Sequence, residues 1–87
     1  MELSPSLQRQ VDHGSSGLDI LHGALKMLMV DAEDELRMAQ ETEEENDYSD
    51  AMESMERKYW EGQSDALAHI YSLTYALSFA IAERDNK

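Results

Sequence analysis

Ala66-Leu67-Ala68-His69-Ile70-Tyr71-Ser72-Leu73-Thr74-Tyr75-Ala76-Leu77-Ser78-Phe79-Ala80-Ile81-Ala82 carries no formal charge, in an 87-residue chain whose 19 acidic and 7 basic side chains leave it at −12. The stretch is broken by His69, Ser72, Thr74 and Ser78. It also falls short of the roughly 20 predominantly apolar residues that a bilayer crossing demands, so it reads as a helix buried among protein neighbours. Upstream the same period continues. Met52, Met55, Tyr59, Gly62, Ala66, Ile70, Leu73, Leu77 and Ala80 recur every three or four positions, which predicts one helix over about 50–83 with a single apolar seam. Trp60, Leu67, Tyr71 and Tyr75 make a second, aromatic stripe a quarter-turn or more away. Gly62 costs about 1 kcal/mol relative to alanine inside a helix, and Ser64 could cap a fresh one. The period runs through both, so one continuous helix is expected, with Gly62 letting a facing backbone come close.

The preceding half repeats the pattern. Leu18, Leu21, Leu25, Leu28, Ala32, Leu36 and Ala39 predict a helix over about 17–43, with Ile20, Met27 and Met38 as a weaker second stripe. Ser16 followed three residues later by Asp19 is a capping pair, with the acid at the positive end of the helix dipole. Ser4-Pro5 opens a short helix over about 4–12, with Leu3, Leu7 and Val11 on one side, and Gly14-Ser15-Ser16-Gly17 ends it. Between the long helices lies an acidic turn, about 44–49, from which Asp47 or Ser49 would cap the last helix. The expected fold is all-α: one domain over residues 1–87, an antiparallel helical hairpin of two long helices with a short N-terminal helix. Two helices alone make a seam and leave the second stripes bare. The short helix would cover one of these, and dimerisation into a four-helix bundle the other.

Composition narrows the function. Leu, Ile, Val and Phe make 16 of 87 residues, under the roughly 20% that signals disorder at high net charge. Ala, Met and Tyr supply further apolar surface, concentrated in residues 18–30 and 66–82. The absence of cysteine excludes disulfides, thiolate metal sites and cysteine nucleophiles. Glu2 stands where a secretory signal would carry positive charge, and a cytoplasmic location is expected. A chain at −12 does not neutralise a phosphate backbone, which excludes direct binding to nucleic acid.

The charge is confined. Between Asp31 and Asp65 stand 14 acidic residues against Arg37, Arg57 and Lys58, so this window holds −11 of the −12. Folded as a hairpin it carries roughly one net negative charge per 2.4 Å of length, approaching duplex DNA's one per roughly 1.7 Å. Such a rod can occupy a basic groove, driven by counterion release and steered by its field. Solubility alone would be served by acids spread over the whole surface. The acids expected to meet a partner are Asp34, Glu41, Glu43, Glu44, Glu45, Asp47, Asp50 and Glu53. Trp60, Leu67, Tyr71 and Tyr75 are expected to pack within the chain or its dimer, or else to bind a partner themselves.

Catalytic chemistry finds little support. Glu61, Asp65 and His69 stand four apart, but the Glu-x-x-His pairing of carboxylate metal bundles is absent. There is no nucleophile elbow, no phosphate loop and no cofactor motif. A carboxylate-metal bundle with hydrolase activity remains one alternative. A structural or adaptor subunit that binds through the aromatic stripe is another.

Tyr59-Trp60-Glu61-Gly62-Gln63-Ser64-Asp65-Ala66-Leu67 and the apolar run to Ile81 resemble a helix of small acidic accessory proteins encoded by phages of actinobacteria. The resemblance covers about a third of the chain and transfers no functional residue. It implies a host-directed role in the host cytoplasm. An inhibitor that occupies a basic surface of a nucleic-acid-processing or defence complex, in the manner of a DNA mimic, would fill that role.

Overall fold

A computed structural model describes residues 1–86, and the regular structure within them is all helix: α1 (Pro5–Asp12), α2 (Gly17–Glu45) and α3 (Ala51–Asp85). Ser4 accepts a hydrogen bond from the Leu7 amide at 3.2 Å, and Pro5 fills the first helical position, where a missing N–H costs nothing. Gly14 then takes a left-handed φ of 81° that ends α1. Ser16 accepts from the Asp19 amide at 3.2 Å and starts α2. Both long helices pass their expected ends by two residues, to Glu45 and Asp85. The cap of α3 is Asp50, whose Oδ1 accepts from the Met52 amide at 2.9 Å, and not Asp47 or Ser49. Gly62 lies inside one unbroken α3, and a Cβ built there meets no atom within 4 Å.

α2 and α3 pack as an antiparallel hairpin of 57 × 29 × 17 Å. The α2 residues turned toward α3 are Leu18, His22, Leu25, Met29, Ala32, Leu36, Ala39 and Glu43, spaced alternately by four and three. On α3 the inward stripe is Glu53, Arg57, Trp60, Ser64, Leu67, Tyr71, Thr74 and Ser78, with the same alternation. Both repeat every 3.5 residues on average, the period of a left-handed coiled-coil contact.

This corrects the expected seam of α3. Met52, Met55, Tyr59, Gly62, Ala66, Ile70, Leu73, Leu77 and Ala80 are all exposed, Leu73 at 54% and Met52 at 71%. The weaker stripe of Trp60, Leu67 and Tyr71 faces α2 instead, while Tyr75 stays outside it. On α2, Leu18, Leu25, Ala32, Leu36 and Ala39 lie inward as expected, but Leu21 and Leu28 do not. The reason is that the half-polar stripe of α3 has matching polar partners on α2, whereas the apolar seam has none. A hairpin can satisfy only one of them. Nor does α1 cover the remainder, since it rests on α2 alone and has no buried residue. Leu25 and Ala32 are the only buried apolar side chains among the described residues.

Two substitutions test this packing by chemical denaturation. Leu25→Ala is expected to lower the unfolding free energy by about 2–3 kcal/mol, because Leu25 is one of the two buried apolar side chains in the α2/α3 contact. Gly62→Ala is expected to raise it by about 0.5–1 kcal/mol, since helix propensity improves and nothing opposes the methyl group. Destabilisation by the alanine would instead reveal a backbone lying against Gly62.

Candidate functional site

The acidic end of the hairpin is built by a reversal in which Asp47 (φ 54°) and Tyr48 (φ 59°) are both left-handed. Two consecutive non-glycine residues in this region are costly, and local hydrogen bonds offset the cost. The Tyr48 amide donates to the Glu43 carbonyl at 2.9 Å, the Asp47 amide to Glu44 at 3.1 Å, and the Ser49 amide to Asn46 at 3.1 Å. The Ser49 hydroxyl also donates to the Asn46 carbonyl at 2.6 Å. Asn46, the C-cap of α2, donates from Nδ2 to Glu53 Oε2 at 2.7 Å, which ties the turn to the first turns of α3.

Directly below the turn, Glu43 is 1% exposed. Its carboxylate accepts from the Ser54 hydroxyl on one oxygen and from Arg57 Nε on the other. Arg57 Nη1 then donates to Glu61 Oε1 at 2.7 Å, one turn further along α3. The Ser54 hydroxyl holds the Glu43 carboxyl below the usual carboxylate range. Burial pulls the other way, and Arg57, with Lys58 beyond it, adds to the lowering. Arg57 is pushed up in turn, chiefly by Glu43 and then by Glu61.

A second polar contact joins the helices nearer their other end. Thr74 Oγ1 is hydrogen-bonded to His22 Nδ1 at 2.6 Å and lies 3.0 Å from the Tyr71 carbonyl. The imidazole lies flat on the Tyr71 ring, centroids 4.3 Å apart, with Tyr75 at 5.8 Å. His22 thereby closes the contact between α2 and α3 where their apolar residues gather.

The expected partner-binding acids divide into groups. Glu44, Glu45 and Asp47 are exposed at the tip. Asp34 and Glu41 are also exposed but flank Arg37, at 3.9 and 3.4 Å, in surface pairs that hold little energy. Asp50 is exposed and occupied in capping α3. Glu53 is half-buried, bonded to Asn46 through one oxygen, while its other oxygen is buried without a partner. Glu43 is a correction: its carboxylate is enclosed by Ser54 and Arg57 and is not offered to a partner. Trp60, Leu67 and Tyr71 are half-buried against α2, which leaves Tyr75 the exposed member of that stripe.

Ser54, Glu61, His22 and Thr74 are the contacts that sequence reading missed. Arg57 and Glu61 at i and i+4 were a visible signal, whereas nothing marks Ser54 or Thr74 in the sequence. Among the described residues no group of three or more His, Asp or Glu side chains could hold a metal ion. No helix of theirs is long and apolar enough to cross a membrane. The chain matches no protein-family model, no curated protein and no solved structure.

The Glu43 cluster makes the hairpin tip sensitive to acid. Its carboxyl titrates lower in the folded chain than in the unfolded one, where about 4.3 is usual for Glu. The stability it contributes is therefore present above that value and lost as pH falls through the lowered one. Arg57→Met leaves the buried carboxylate half-partnered and is expected to move acid unfolding, followed by circular dichroism, to higher pH. Arg37→Met, on the exposed pair, should leave the transition where it is.

Proposed function

We propose that the chain is a non-enzymatic acidic interaction module, an inhibitor or modulator that docks its acidic tip on a basic surface of a partner. Surfaces shaped to bind nucleic acid are included. The apolar end assembles it as a homodimer with a four-helix core. The observation that supports docking is the confinement of charge: residues 31–65 carry −11 at one end of a hairpin 57 Å long, with Glu44, Glu45 and Asp47 exposed at its extremity. Charge concentrated on a narrow rod produces a stronger local field than the same charge spread evenly, and that field steers association with a basic groove. The likeness of residues 59–81 to phage accessory proteins fits a host-directed inhibitor acting in the host cytoplasm.

The competing readings have less support. An adaptor binding through the aromatic stripe would reach only part of it, since Trp60, Leu67 and Tyr71 are half-buried against α2 and only Tyr75 is exposed. For a metal-dependent hydrolase, Glu61 is already engaged by Arg57.

Tip docking is tested with an immobilised oligoarginine peptide as the basic surface. Replacing Glu41, Glu44 and Glu45 by Gln is expected to weaken binding on the order of tenfold and to flatten its salt dependence. Replacing Asp12, Asp19 and Glu83 removes the same charge far from the tip and should change affinity about twofold or less. Equal losses in the two variants would show that net charge, and not the tip, is recognised. Glu43 is left intact in both, because its removal acts on the fold.

A further inference from the structure

The hairpin exposes 6713 Å², whereas a folded monomer of 9.9 kDa exposes about 5200 Å². The excess of about 1500 Å² per chain would amount to about 3000 Å² between two copies, within the range of obligate homodimers. Its radius of gyration, 17.4 Å, likewise exceeds the about 12 Å of a compact chain of this length.

The bare apolar surface is not evenly distributed. One side of the α2/α3 contact has a groove whose walls include Leu28 and Met38 on α2 and Gln63 on α3. Leu21 lies two turns before Leu28, and Ile70 and Leu77 lie two and four turns beyond Gln63, so heptad spacing places all three on the same side. The opposite side is more polar, lined by Gln40, Glu43, Glu44, Arg57 and Glu61 with Tyr48 at the tip. Val30, Tyr48, Tyr75 and Phe79, the last two with ring centroids 5.0 Å apart, are the large apolar side chains exposed on or near that side.

The α3 part of the apolar side is nearly symmetric about its middle. Ala66, Ile70, Leu73, Leu77 and Ala80 read almost the same in reverse. Laid antiparallel about Leu73, Ala66 meets Ala80 and Leu73 meets itself, while Ile70 and Leu77 lie one residue, about 1.5 Å, out of step. A two-fold interface requires this self-complementarity. A parallel pairing would set Asp31, Glu35 and Glu56, which line the same side nearer the tip, against their own copies. Antiparallel pairing keeps each of them away from its own copy and centres the α3 contact on the uncharged residues 66–82.

We infer that this face is the homodimer interface, occupied by a second copy running antiparallel about a two-fold axis near Leu73. The inference rests on the homodimer reading above and is independent of what the tip binds. The tips then project from opposite ends. Each lies about 25 residues of helix from the axis, which separates them by about 75 Å. The dimer is a divalent rod that meets two basic sites at once only where they lie that far apart.

The chain has no cysteine, so Glu45→Cys takes one spin label at the tip. Sedimentation is expected to give twice the chain mass, and dipolar spectroscopy a separation near 75 Å. A separation under about 25 Å would make the pair parallel and overturn the proposed orientation. Two further variants identify the face, both at side chains more than half exposed in the hairpin. Leu73→Glu should weaken dimerisation by at least about a hundredfold, because two copies of the new charge meet at the axis. Phe79→Glu should leave it unchanged, and the reverse pattern would place the interface on the other side. A monomeric wild type overturns both this inference and the homodimer reading while leaving tip docking to the oligoarginine assay.

Discussion

Glu43 can be buried as a carboxylate only where Ser54 and Arg57 both reach it, and meeting that requirement sets the rotation of α3 about its own axis. A lone buried charge is expensive, and a partnered one is tolerated only in one geometry. Once Arg57 is turned toward α2, the residues in step with it face inward too: Trp60, Ser64, Leu67, Tyr71, Thr74 and Ser78. His22 and Thr74 enforce the same rotation from the other end of the hairpin. The two polar contacts, set far apart along the helices, hold the register. They leave the most regular apolar seam in the protein on the outside.

A hairpin arranged this way has little interior. Leu25 and Ala32 are the only buried apolar residues among those described, and two long helices so joined recover only a small part of the conformational entropy lost on ordering the chain. The polar face of α3 therefore serves the hairpin, and the apolar face serves assembly. Specific contacts within one chain and non-specific burial between chains are assigned to opposite sides of one helix.

The same division governs the acids. Arg57 and Lys58 are two of the three bases in the acidic window, and Arg57 is consumed internally by Glu43 and Glu61. Little positive charge is left to offset Glu44, Glu45 and Asp47 at the tip. Pairing inside the hairpin sharpens the field outside it, which is how the fold bears on the proposed docking.

Much of the architecture was legible in the residues. Ser4-Pro5, Ser16 with Asp19, and the apolar recurrences placed three helices to within two residues, because capping and 3.6-residue periodicity are local properties. The charge polarity was equally legible, since it depends only on where the acids fall along a chain that folds back on itself. Periodicity, however, says that a helix has an apolar stripe and not which neighbour covers it. The assignment of the Met52-to-Ala80 seam to the hairpin interior failed for that reason. The inclusion of Glu43 among the exposed acids failed for a related one: in the sequence it is one of three consecutive glutamates, and only the approach of α3 separates it from the other two. Local order and net charge were thus written in the sequence. The rotation of α3, the burial of Glu43 and the exposure of the apolar seam were decided by the meeting of side chains many residues apart, where one polar match determined which of two stripes could be inside.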